Sequence, residues 1–155
     1  MNKHLMVIGV VILLLAVGLS GCEELEELNK PDYIWVHVYC HVKVVIHNGS
    51  NPSFPAEGIF VKLEIIKAGG ERRSERFYTD ARGTTGLSEI VQLYREQPIT
   101  CIANVDLESA EQFPGYTFNG ASHTISWNEI YPANDFGDKV YKTVDLVIVG
   151  YKDGN

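Results

Sequence analysis

Apolar and polar residues alternate along the stretch from residue 36 to residue 46. The even-numbered positions are all apolar: Val36, Val38, Cys40, Val42, Val44 and Ile46. The odd-numbered positions carry mostly histidine, tyrosine and lysine. Because successive side chains of a β-strand point to opposite faces, this pattern predicts a strand with one buried and one solvent-facing side.

Similar stretches, separated by turn residues, predict further strands. They are residues 59–66, 74–79, 87–94, 99–107 and 139–151. Between residues 108 and 138 the period is poor, and residues 124–130 are interpreted as a short strand, with a helical turn as the alternative. No 3.6-residue periodicity follows residue 30. The sequence therefore predicts an all-β fold, an antiparallel two-sheet sandwich of about seven strands.

Three turn motifs resemble those of the carboxypeptidase-regulatory-like, or transthyretin-like, sandwich domains. They are PAEGIFVKL from Pro55, YTDARG from Tyr78 and FPGY from Phe113. That group uses a P-x-x-G-x-x-V motif at the start of a strand, a T-D-x-x-G hairpin and a G-Y corner. The resemblance implies an Ig-like or transthyretin-like sandwich without activity of its own, which serves adhesion, spacing or carbohydrate contact. The long segment 108–138 departs from the group.

The N-terminus has a different pattern. The α-amine and Lys3 precede an apolar run from Leu5 to Val17, which ends in the sequence LSGC at Cys22. This order is typical of a secretory leader, and the run is short for a membrane-spanning helix of about 20 residues. The ending resembles the lipobox of prokaryotic lipoproteins. That resemblance implies cleavage before Cys22, lipidation of its sulfur and an extracytoplasmic, membrane-anchored protein; an uncleaved signal anchor is the alternative.

These patterns divide the chain into a signal peptide (1–21), an acidic tether (22–32) and a β-sandwich domain (33–155). An N-terminal apolar leader helix is expected before the sandwich. The net charge of the chain is −7, and removal of the leader, which holds Lys3 and no acid, leaves −8. Because such a domain repels phosphate backbones, no nucleic-acid partner is expected.

Two cysteines remain if Cys22 carries lipid. Cys40 and Cys101 occupy inward positions of predicted strands, and disulfides persist in exported domains. A Cys40–Cys101 disulfide would close a loop of about 60 residues. Two buried free thiols are the alternative, since cysteine is among the most buried residue types.

Three histidines are the candidate metal ligands. His37 and His41 share the outer side of the first predicted strand, about 13 Å apart. One ion bound about 2.1 Å from each nitrogen cannot reach both, so a site needs His123 or a carboxylate. Exposed polar residues without a metal are the simpler interpretation. No cofactor is predicted.

Aromatic residues concentrate in the irregular segment. Tyr116, Trp127, Tyr131 and Phe136 are predicted to contact a partner, because aromatic loops on a rigid scaffold often form binding surfaces. The alternative is a segment that packs back onto the core. No nucleophile elbow, phosphate loop or activated thiol is found, so no enzymatic activity is expected. The predicted function is a non-catalytic binding or spacer module for an envelope protein or carbohydrate, and the alternative is a metal-binding lipoprotein.

Overall fold

The structure is a computed structural model that describes residues 32–49, 53–131 and 140–152. The predicted leader helix, the tether up to residue 31 and Cys22 lie outside the described residues. Across the described ranges, no helix is long and apolar enough to span a membrane. These ranges contain nine strands, two short α-helices and a 3₁₀ turn at Ala68–Gly70. The strands and α-helices are β1 (Tyr33–His47), β2 (Phe54–Pro55), β3 (Phe60–Ile66), β4 (Arg72–Tyr78), β5 (Thr84–Tyr94), β6 (Ile99–Val105), α1 (Leu107–Ala110), β7 (Tyr116–Phe118), β8 (Ala121–Ile125), α2 (Trp127–Ile130) and β9 (Val140–Lys152).

The strands form two sheets, as the sequence predicts. In the five-stranded sheet, β1 pairs antiparallel with β5 and β2 and parallel with β9, and β9 pairs antiparallel with β7. The four-stranded sheet has the order β4-β3-β6-β8, with antiparallel pairs between its described strands. The parallel pairing of β1 with β9 corrects the expectation of purely antiparallel sheets.

The core between the sheets is built around β1. The even-numbered side chains from Val36 to Ile46 are at most 3% exposed, which confirms the predicted buried face. Opposite them lie fully buried aliphatic side chains of the four-stranded sheet, among them Val61, Leu63 and Ile99. Each such side chain contributes about 1.5–3 kcal/mol when it leaves water, so this inner layer is the main source of stability.

The turn between β4 and β5 carries the chain from one sheet to the other. Asp80 closes this turn, because its Oδ1 accepts hydrogen bonds from the backbone N–H groups of Arg82 at 2.9 Å and Thr84 at 2.8 Å. The bond from the Thr84 backbone is the main cause of a lowered pKa for the Asp80 carboxyl. The Gly83 carbonyl oxygen then accepts a hydrogen bond from the Val44 N–H at 2.8 Å, which fixes the turn against β1.

The irregular segment differs in detail from the sequence-based interpretation. The predicted strand 124–130 is in fact the end of β8 followed by α2, and Ser126 is the residue before the helix. This single helical turn directs both Trp127 and Ile130 into the core, where they are 7% and 4% exposed. The segment therefore covers one side of the sandwich core.

Candidate binding surface

The aromatic residues predicted to form a binding loop lie against the core. Trp127 is buried, and its ring stacks on Tyr131 with centroids 5.4 Å apart. Tyr116 and Tyr131 are partly buried and pack on the core cluster. Phe136 lies outside the described residues. This arrangement is the alternative considered above, a segment packed back onto the core, and a binding role for these four residues stays a prediction.

The three candidate histidine ligands are divided between the two sheets. His37 and His41 belong to β1, whereas His123 belongs to β8 of the four-stranded sheet. His123 Nε2 lies 3.3 Å from Glu129 Oε1, and Lys142 pairs with the same carboxylate. Lys142, followed by His123, lowers the pKa of the Glu129 carboxyl. No group of three or more His, Cys, Asp or Glu side chains is placed to hold a metal ion in the part of the chain that the structure describes.

Cys40 of β1 and Cys101 of β6 meet across the core. Their side chains are 1% and 0% exposed and approach to 2.6 Å, and both are free thiols in the structure. Their mutual hydrogen bond, followed by burial, raises the pKa of the Cys40 thiol. The pair therefore joins the two sheets at one point, although the predicted disulfide itself is not present.

A third arrangement, which the sequence analysis did not identify, lies on the solvent side of the five-stranded sheet. Here the outward residues of β1, β5 and β9 stand side by side in register. We call this surface the outer face. It consists of Tyr33, Trp35, His37, Tyr39, His41, Lys43, Val45 and His47 of β1, Thr84, Gly86, Ser88, Ile90, Gln92 and Tyr94 of β5, and Tyr141, Thr143, Asp145, Val147, Val149 and Tyr151 of β9.

Large apolar side chains are concentrated on the outer face. Among the described residues, ten such side chains are exposed, and seven of them belong to this face: Tyr33, Trp35, Tyr39, Ile90, Tyr141, Val147 and Tyr151. Their exposed fractions run from 40% for Tyr33 to 72% for Tyr141. Single exposed apolar residues are ordinary on protein surfaces, whereas a contiguous group marks a surface that contacts another molecule.

The middle of the outer face contains a shallow depression of about 200 Å³. In the strand register, His37 lies between Ile90 and Tyr141, and the rings of His37 and Tyr141 are 5.2 Å apart. In the next row Tyr39 lies between Ser88 and Thr143. The depression thus combines two phenol rings, one imidazole and two aliphatic hydroxyl groups, and its lining is completed by Lys142, whose ammonium group pairs with Glu129.

Gly86 determines how the Tyr39 ring lies. A Cβ atom at Gly86 would stand 2.7 Å from Tyr39 Oη and 2.9 Å from the Cys40 carbonyl oxygen. Because residue 86 has no side chain, the Tyr39 ring extends sideways across β5 and covers its backbone. Glycine within a strand commonly marks such a close approach.

The outer face carries little charge in an acidic protein. Lys43 and Asp145 are the two Lys, Arg, Asp or Glu residues of the face as defined above, in a chain of net charge −7. Asp145 Oδ1 lies 2.9 Å from His41 Nδ1, so the one carboxylate already has a neighbouring partner. The acidic residues are therefore located elsewhere.

Comparison with known proteins gives no family. No protein-family model matches the chain. No curated protein sequence matches it either.

Proposed function

We propose that this protein is a non-catalytic binding module, held on the outer side of the cell membrane, whose outer face contacts an envelope protein or a carbohydrate. The observation that supports this function is the gathering of seven exposed large apolar side chains on one face. An aromatic side chain buries about 150–250 Å² when it is fully covered, so a partner that covers several of them gains substantial binding energy.

The proposed anchor is lipid on Cys22. The short positive start, the apolar run and the LSGC ending support it. One acyl chain binds a membrane only reversibly, whereas the two chains of a diacylglyceryl group give stable attachment. The acidic residues between Cys22 and the first strand then form a solvated spacer.

A relationship to the carboxypeptidase-regulatory-like or transthyretin-like modules is part of the proposal. The two-sheet architecture is compatible with it, and the T-D-x-x-G motif from Thr79 to Gly83 coincides with the turn between β4 and β5. Such a relationship favours binding or spacing over catalysis. It does not by itself name a partner, since one fold supports many functions.

We also propose that Cys40 and Cys101 form a disulfide after export. Their approach to 2.6 Å across the core supports this bond. Two thiols would lose two protons and two electrons to an extracytoplasmic thiol–disulfide oxidoreductase, by exchange through a mixed disulfide. Because both sulfurs are buried in the folded domain, oxidation would precede closure of the core.

Envelope capture by the full-length protein tests the binding function. The chain is immobilised in detergent through a C-terminal tag and incubated with envelope fragments of its source organism. We expect Trp35→Ala/Tyr141→Ala/Tyr151→Ala to reduce capture at least about tenfold, because each lost aromatic contact costs about 0.5–1.5 kcal/mol. The melting temperature should hardly change, since these side chains are 49%, 72% and 45% exposed.

The matched control removes three exposed apolar side chains that lie outside the outer face. Phe54→Ala/Tyr78→Ala/Leu107→Ala changes residues that are 46%, 59% and 81% exposed. This variant should capture envelope material as the wild type does. Equal losses in both triple variants, or full capture by the first, would refute the outer face as the binding surface.

A further inference from the structure

The partner class follows from the shape and chemistry of the outer face. We propose that the outer face binds a neutral glycan chain, which lies along β1. This inference rests on the proposed binding function and narrows its two partner classes to one.

The outer face is long and narrow. β1 has 15 residues, which corresponds to about 50 Å at about 3.3 Å per residue. Along residues 36–43 of β1, three strands about 4.8 Å apart give a width near 10 Å between the outer two backbones, and near the end of β1 the sheet has four strands, β2, β1, β9 and β7. Exposed rings are grouped toward the start of β1, at Tyr33, Trp35, Tyr39 and Tyr141, and one more, Tyr151, lies in register with His47 at its end. An extended polymer that lies along β1 contacts all of them.

The chemistry of the depression suits a sugar ring. A pyranose has apolar C–H faces and a rim of hydroxyl groups, so it requires an aromatic surface with hydrogen-bonding groups around it. Tyr39 and Tyr141 supply the rings, while Ser88, Thr143 and His37 supply donors and acceptors at the same place. A few polar groups placed in an apolar depression are the usual means of fixing a ligand's orientation.

The charges of the outer face disfavour the binding of a charged polymer. An anionic chain would be repelled by the acidic domain and would find Lys43 as its one fixed positive partner on this face. A cationic chain would find Asp145, whose carboxylate already contacts His41. A neutral ligand avoids both costs, because it does not need to displace the contact between Asp145 and His41.

Periodate treatment of the envelope fragments tests the inference. Periodate cleaves the vicinal diols of sugars, whereas a broad-specificity protease removes proteins. We expect periodate, followed by quenching and removal of the reagent, to reduce capture by the immobilised wild-type protein at least tenfold. Capture that protease abolishes and periodate leaves unchanged would overturn the glycan as ligand while leaving the binding function intact. A failure of the wild type to capture untreated fragments would instead contradict the binding function.

Tryptophan fluorescence provides a second measurement. The chain has two tryptophans, of which Trp127 is 7% exposed and Trp35 is 49% exposed. Carbohydrate purified from protease-digested envelope should shift the emission of the wild type to shorter wavelength as Trp35 is covered. Trp35→Phe keeps a ring and the fold but should lose the spectral shift. An equal shift in both proteins would place the ligand away from the outer face.

Discussion

At the scale of single residues, Gly83 shows why a turn between the two sheets needs glycine. Its φ is +71°, a region that L side chains rarely adopt. A Cβ atom there would also stand 2.5 Å from the Val44 carbonyl oxygen and 2.9 Å from the Ala56 nitrogen. The turn therefore requires glycine for two separate reasons, its backbone conformation and its close approach to β1.

Gly58 allows these two reasons to be separated by mutation. Its φ is +72°, but nothing lies within 4 Å of an added Cβ atom. Gly58→Ala should therefore lower the free energy of unfolding by the conformational cost alone, about 1–2 kcal/mol. Gly83→Ala should lower the free energy of unfolding by at least about 2 kcal/mol more than Gly58→Ala does, because the backbone of β1 has to move. Urea unfolding followed by circular dichroism measures both, and similar losses would show that the close contact is unimportant.

Two tryptophans show which roles of single residues can and cannot be predicted from the sequence. Trp127 is predicted to bind a partner because it is one of several aromatic residues in an irregular segment, and in the structure α2 directs it into the core. A single turn of helix leaves no periodic signal, since it is shorter than one repeat of the pattern. The sequence pattern predicts no role for Trp35, although this residue precedes the alternating stretch at an outward position.

At the scale of elements, β1 organises the molecule. Its alternation correctly predicts which side chains are buried, because the period of two follows directly from strand geometry. The same pattern contains no information about which strand lies next to it. The pairing with β9 joins Cys40 to Val144 in register across more than half the chain, and nothing local in the sequence indicates it.

Oxidation of Cys40 and Cys101 would link β1 to β6, and thus the two sheets. We expect that, in protein isolated from membranes without reductant, neither Cys40 nor Cys101 reacts with maleimide after denaturation. Reduction should lower the unfolding free energy by about 4 kcal/mol, because the disulfide restricts a loop of about 60 residues in the unfolded chain. Mass spectrometry after alkylation and urea unfolding with and without dithiothreitol measure the two effects.

The double variant Cys40→Ala/Cys101→Ala is the control for this bond. Its unfolding should not respond to dithiothreitol, since neither sulfur is present. Two alkylated cysteines in the unreduced wild type would show that the buried pair stays as thiols. The sulfur of Cys22 does not interfere, because its proposed thioether is not reducible.

At the scale of the whole molecule, one strand serves two purposes. The even-numbered side chains of β1 build the core, and its odd-numbered side chains build the middle of the outer face. The two-sheet all-β fold was predictable because each of the longer strands carries its own pattern. The outer face was not, because β1, β5 and β9 are far apart in sequence and meet only after the fold has formed.

The proposed location depends on Cys22 and is tested by the N-terminal peptide. In protein isolated from membranes, this peptide should begin at Cys22 and carry the added mass of a diacylglyceryl group. Cys22→Ala removes the sulfur that accepts the lipid, so this variant should keep residues 1–21 and lack the added mass. Stable attachment by two acyl chains would then be lost, and only the apolar leader would remain to hold the variant in the membrane. A wild-type protein that starts at Met1 without lipid would instead establish the uncleaved signal anchor.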